Sequence, residues 1–228
     1  MCLWWAGCAK IHTGLRDSTL PREMGPMQFL SRSCRPPGHV GILPGTFNPP
    51  TLAHLSLANA ALAELDAVVL VLPRVFPHKS YDGAGFAQRL EMMRAAISGH
   101  PCMAAAASDS GLFVEIAQEC RAAYGPEASL TFVCGRDAAE RMVTWDYGYP
   151  DAISSILESF HLLVACRGGS YEPPAHLRRH IRALQVPAEV DAISASDVRR
   201  RVAAGQPWQH LVPTAIVPMV REIYRPLE

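Results

Sequence analysis

From residue 39 onward the chain alternates short apolar runs with longer amphipathic stretches. The runs HVGIL (39–43), AVVLVLP (67–73), CMAAAA (102–107), SLTFVCG (129–135) and HLLVACR (161–167) predict strands, and VPAEVDAI (186–193) predicts a weaker one. Most are continuously apolar rather than alternating, as in strands covered on both faces of a parallel sheet. Between and after them, apolar positions at helical spacing predict helices near 52–65, 86–98, 111–124, 136–146, 151–159, 174–184, 195–204 and 213–224. This alternation predicts an α/β fold: a Rossmann-like open, mostly parallel sheet with helices on both faces. Ligands of such sheets bind outside the carboxyl ends of the strands. Chemistry is therefore expected in the residues that follow each strand.

Composition narrows the picture. About half of the 228 residues are apolar, enough for one sizeable core. No internal repeat, heptad or low-complexity tract divides the chain, so a single domain over 38–228 is expected. Residues 1–37 begin apolar and turn rich in Arg, Ser and Pro without strand or helix periodicity. They read as a disordered leader outside the fold, with Met24 and Met27 as alternative starts and a targeting peptide as the weaker reading. Lys and Arg (21) balance Asp and Glu (21), so no long-range field draws the protein to nucleic acid or an acidic membrane. No apolar run approaches the roughly 18 residues of a membrane helix. The seven cysteines are scattered, with no C-x-x-C spacing. They read as free thiols in a reducing, cytoplasmic setting, with no resident metal site. A homo-oligomer is left open.

The most informative stretch is the first strand-to-helix junction, GTFNPPTLAH (45–54). Gly45 directly follows the strand, where a missing side chain lets the backbone turn and approach a phosphate. Pro49 and Pro50 stiffen the loop, and Thr51 is a good N-cap for a helix that buries Leu52, Leu55, Ala58, Leu62 and Leu65. Thr51 and His54 share one face of the first turn. Unpaired N–H groups and the helix dipole make that turn a seat for phosphates, and a histidine there can stabilise charge growing on an attacked phosphoryl group. Neither a dinucleotide-binding glycine fingerprint nor a P-loop is present.

GTFNPPTLAH resembles the (H/T)-x-G-H signature of the nucleotidyltransferase superfamily, and its Phe-Asn-Pro-Pro version resembles nicotinate-nucleotide adenylyltransferases. Thr51 stands where the first motif histidine can stand, and Ala53 replaces the motif glycine. A second match is ISASDVR (193–199), which resembles the I-S-S-T-x-I-R motif of adenylyltransferases. On its own residues this segment begins a helix capped by Ser194 with Asp197 three residues on, a near capping box. Ser196, Arg199 and the helix N–H groups suit the β- and γ-phosphates of a nucleotide. Arg200 and Arg201 read as surface charges.

The middle of the chain adds weaker matches. P-H-K followed by R-x-x-M points to Lys79 and Arg89 as anion contacts, with His78 a plain loop residue. CGRDAAERMVTW resembles the family's G-x-D…W stretch, with Arg136 where Ser or Thr is usual. It would bring Gly135 and Asp137 to the nucleotide and Trp145, with Tyr147 nearby, to an aromatic ring. Arg167 closes the fifth strand.

The resemblance implies ATP plus nicotinate mononucleotide giving nicotinate adenine dinucleotide and pyrophosphate, with Mg²⁺ on the triphosphate. His54, Thr51, Lys79 and Arg199 would be catalytic. Gly45, Thr46, Phe47, Thr51, His54, Gly135, Asp137, Ser194, Ser196 and Arg199 would bind ATP. Asn48, Lys79, Arg89, Asp137, Trp145 and Arg167 would bind the acceptor. A different acceptor (nicotinamide mononucleotide or phosphopantetheine), a CTP-using reaction, and a non-catalytic nucleotide-binding protein are the alternatives.

Overall fold

A computed structural model describes residues 27–31, 38–75, 83–148, 151–166, 171–190 and 192–225. Its central strands form where the chain offers almost only apolar side chains and so must be covered on both sides. All seven residues of β3 (Ala67–Pro73) and all six of β4 (Met103–Ser108) are buried. With β1 (Gln28–Ser31), β2 (His39–Pro44), β5 (Ser129–Gly135), β6 (His161–Ala165) and β7 (Ile181–Leu184) they make one seven-stranded sheet in the order β1-β4-β3-β2-β5-β6-β7. Every pairing is parallel except that of β1 with β4.

The helices are α1 (Leu52–Ala61), α2 (Phe86–Ala96), α3 (Phe113–Tyr124), α4 (Arg136–Thr144), α5 (Ala152–Leu157), α6 (Ala195–Ala203) and α7 (Val217–Tyr224). Alternate strand residues sort into two cores. Ile42, Val69, Val71, Phe132 and Leu162 face α3, α4 and α5, whereas Leu43, Leu70, Leu72, Val133 and Leu163 face α1 and α2. This is the period-two placement of side chains on a sheet clothed on both sides. A third, smaller core joins the outer side of α2 (Met92, Ala96) to α6 (Val198) and α7 (Val220, Tyr224) around Trp208, Leu211 and Ile216.

Four expectations are corrected. Residues 28–31 are not outside the fold: β1 pairs antiparallel along β4, Met27 is buried beside Cys120 and Phe29 packs edge-on against Tyr124. The strand is four residues of mixed polarity, too short to show a period, and it covers an edge that β4 would otherwise expose. The stretch 174–184 is not a helix but a 3₁₀ turn (Ala175–Leu177) followed by β7. Within β7 only Ile181 and Leu184 are buried, a spacing of three that mimics a helix. Consequently 186–193 is not a strand; Ala188–Val190 forms a 3₁₀ turn. Helix α1 ends at Ala61, four residues early, and its buried face is Ala53, Leu55, Leu57, Ala58 and Ala61 rather than one including Leu52 and Leu62. No helix among the described residues is long and apolar enough to cross a membrane.

Candidate active site

The sheet order reverses between β2 and β5, which are paired neighbours whose following helices, α1 and α4, lie on opposite faces. A crevice at their carboxyl ends is the place where an open α/β sheet receives a ligand. The loop after β2 enters it.

Gly45 extends the strand by one bond, donating to Val71 O at 3.0 Å. Phe47 then takes a left-handed backbone (φ 45°), and its fully buried ring folds back over Gly45. A Cβ at position 45 would lie 2.5 Å from that ring. The glycine is therefore required by Phe47. The Phe47 ring backs the His54 ring, centroids 5.0 Å apart.

Thr51 is the N-cap of α1 and is fully buried. His54 turns back so that Nδ1 accepts from the Thr51 backbone N–H at 3.0 Å, with Thr51 Oγ1 2.8 Å away. A backbone N–H can only donate, so Nδ1 carries no proton and the ring proton belongs on Nε2. His54 thus presents an N–H donor at the end of a helix whose dipole already favours an anion. Ala53 is 2% exposed, so its methyl group is covered by protein rather than standing in the crevice.

Asn48 and Arg89, expected to contact the acceptor, are both bonded within the protein. The Asn48 side chain is buried, and its Oδ1 accepts from the Ala84 N–H (3.3 Å) and the Tyr224 hydroxyl. Arg89 is no mobile loop cation: it lies within α2, is buried, and donates to Thr46 O at 3.2 Å. The carbonyl is a strong acceptor that fixes the loop from below.

Helix α6 approaches the same loop. Ser194 caps it by accepting from the Asp197 N–H at 3.1 Å, as its sequence predicts. Ser196 is exposed in the first turn. Arg199 reaches across to donate to Asn48 O and lies 3.5 Å from Ser196 Oγ. Asp197 is paired with Arg201 and Arg200, which hold its carboxyl below the usual carboxylate range. That pairing keeps Asp197 from opposing an anion and occupies the two surface arginines.

Across the crevice, Gly135 is the N-cap of α4, and open space surrounds its α-carbon. Asp137 is exposed in the first turn, and Trp145 is half-buried where α4 ends. Tyr147 donates to Met142 O at 3.0 Å. Lys79, His78 and Arg167 lie outside the described residues. Cys102, Cys120, Cys134 and Cys166 are free thiols, and burial pushes Cys134 up to about 12, so it is inert at neutral pH.

A parallel sheet whose order reverses between β2 and β5, with two capped helix N-termini of which α6 bonds the loop that leads into α1, suits a nucleotidyltransferase. The family model described as Cytidylyltransferase-like matches residues 42–201. A protein named probable nicotinate-nucleotide adenylyltransferase in Moorella thermoacetica is 32% identical over 209 residues, covering 83% of this chain and 93% of its own. One of the same name in Bordetella avium is 33% identical, covering 82% and 98%. The solved Plasmodium falciparum nicotinic acid mononucleotide adenylyltransferase in complex with NaAD superposes with a TM-score of 0.59 at 16% identity, over 82% of this chain and 93% of that one, a likeness of fold. The chain belongs to the nicotinate-nucleotide adenylyltransferase family of Cytidylyltransferase-like enzymes.

Proposed function

We propose that this chain transfers the adenylyl group of ATP to nicotinate mononucleotide, forming nicotinate adenine dinucleotide and pyrophosphate. The observation that carries the chemistry is the Thr51–His54 pair, which fixes a neutral imidazole with Nε2–H as donor at the start of α1. The likeness to adenylyltransferases of that name supplies the acceptor.

A phosphate oxygen of the acceptor attacks the α-phosphorus, and the bond to the bridging oxygen of the β-phosphate breaks. No covalent enzyme intermediate is needed, so the residues act by positioning and by meeting charge. His54 Nε2–H and the first amides of α1 meet the α-phosphoryl oxygens. Ser196 and Arg199 meet the β- and γ-phosphates as pyrophosphate leaves, and Asp137 accepts from a ribose hydroxyl. Trp145 provides a ring for the acceptor base. Lys79 and Arg167 keep the roles that the resemblance implies.

Among the described residues no group of three His, Cys, Asp or Glu side chains could hold a metal. The donors on α1 and α6 are amides, hydroxyls and a guanidinium, which suit phosphate oxygens and not a cation. This set fits Mg²⁺ carried on the triphosphate. Bound there, the ion would share the triphosphate charge. The free thiols suit a reducing, cytoplasmic setting.

The test is pyrophosphate release with ATP, Mg²⁺ and an acceptor panel of nicotinate mononucleotide, nicotinamide mononucleotide and phosphopantetheine. Release with the first alone is expected. A preference for another acceptor would replace the substrate, and silence with all three despite ATP binding would remove the activity.

A further inference from the structure

Helix α7 lies beyond residue 201, where the family match ends, and nothing in its sequence marks it as more than an amphipathic helix. Yet its last residue, Tyr224, is buried and its hydroxyl reaches Asn48, 176 positions away. The direction of that bond is fixed. Asn48 Oδ1 also accepts from the Ala84 N–H, so it is the amide oxygen, and the phenol must be the donor. Burial pushes the phenol well above the usual tyrosine range, against a smaller opposing influence from Arg199 and Arg89, so the donor proton is retained.

Asn48 is the meeting point of three helices. The start of α2 reaches it through the Ala84 N–H, α7 through Tyr224, and α6 through Arg199, which donates to the Asn48 carbonyl. Gly83 leaves room for this arrangement: its backbone is left-handed (φ 108°), and a Cβ there would lie 2.9 Å from Tyr224 Cε1. The small core of α2, α6 and α7 holds the three helices in register behind the node. Two groups placed above on the phosphates depend on it. Arg199 takes its orientation from the Asn48 carbonyl, and Thr51 follows three residues after Asn48 in the same loop.

We infer that Tyr224 is a positioning residue for nucleotidyl transfer, acting through Asn48 to aim Arg199 at the leaving pyrophosphate. The inference rests on the adenylyl-transfer reading of the site. Without the hydroxyl, Asn48 keeps the Ala84 bond but loses its tie to α7, and the carbonyl that orients Arg199 can swing. A displacement of the order of 1 Å at a phosphate contact is costly to the rate while leaving an acceptor bound elsewhere largely undisturbed.

The experiment is a double-mutant cycle on pyrophosphate release, using Tyr224→Phe, Arg199→Ala and the pair. Tyr224→Phe is expected to lower kcat by about tenfold with KM for nicotinate mononucleotide unchanged. In the Arg199→Ala background the same change is expected to cost less than about twofold, because the residue it acts through is gone. Equal losses in both backgrounds, or a loss confined to KM, would overturn the proposal. Amide hydrogen exchange at Ala84 provides a readout that does not depend on the substrate. Faster exchange in Tyr224→Phe, with global stability close to wild type, is expected. Unchanged exchange would remove the node even if turnover fell. If wild-type protein releases no pyrophosphate with any acceptor, the reaction fails and the exchange result still decides the link to Asn48. Asn48→Ala, which removes the shared acceptor, must reproduce the exchange change; its failure to do so counts against the proposal.

Discussion

The two helix N-termini that would hold the nucleotide are built in opposite ways. At α1 the donor is oriented before a ligand arrives: the Thr51 amide holds His54 Nδ1, and the His54 ring packs against Phe47. At α6 the cap is equally sound, but Ser196 is exposed and Arg199 spans to a carbonyl on another segment. The first end is preorganised and the second adjustable. That division suits a reaction in which the attacked phosphorus must be held still while the leaving pyrophosphate must be let go.

The comparison can be broken most severely from inside the rigid end. Phe47→Ala removes a fully buried ring beneath both Gly45 and His54. It is expected to cost about 3–5 kcal/mol of stability, read as a fall in urea midpoint. A change below about 1 kcal/mol would show that the loop does not rest on this ring. Gly45→Ala places a methyl 2.5 Å from the same ring, and overpacking of this kind costs about 1–3 kcal/mol. Wild-type melting behaviour for that variant would contradict the packing described here. At the adjustable end, Arg199→Lys keeps the charge but not the planar fork. Turnover is expected to fall by about tenfold with melting unaltered, because the side chain is half-exposed. Turnover equal to wild type would mean that a point charge suffices.

The smallest effect belongs to a carboxyl remote from both ends. Glu119 is buried and accepts from Ser108 Oγ at 2.9 Å, while its second oxygen has no hydrogen-bond partner. Burial raises its pKa above the free value, an effect that the Ser108 bond partly offsets. The folded state then holds the proton more tightly than the unfolded chain. Stability is accordingly lost as pH rises from the unfolded pKa through the raised folded one. Glu119→Gln is expected to raise Tm at pH 8 and to leave it unchanged at pH 4. A lower Tm at pH 8 would show that the ionised carboxylate is welcome there.

How much of this was legible in the sequence depended on how far each residue had to reach. Strands β3 and β5 match their predicted limits because a continuous apolar run leaves no polar position to face water. β7 was misread because two buried residues three apart satisfy a helix as well as an edge strand. The caps at Thr51 and Ser194 were readable because a capping partner lies within one turn. The protein partners of Asn48 and Arg89 could not be read, because they lie 36, 43, 151 and 176 positions away, beyond any local pattern. In sequence alone a polar residue looks the same whether it meets a ligand or another helix. The inward turn of the Phe47 ring is likewise visible only in the fold.

The central claim is that His54 Nε2–H, fixed by the Thr51 amide, stabilises the attacked α-phosphate. Its most direct test is the turnover of His54→Ala with saturating ATP, Mg²⁺ and nicotinate mononucleotide. The account predicts a kcat lower by about a hundredfold or more, as for the loss of one preorganised donor, with ATP still bound. Turnover close to wild type would contradict it, and the chemistry would then have to be carried by other residues.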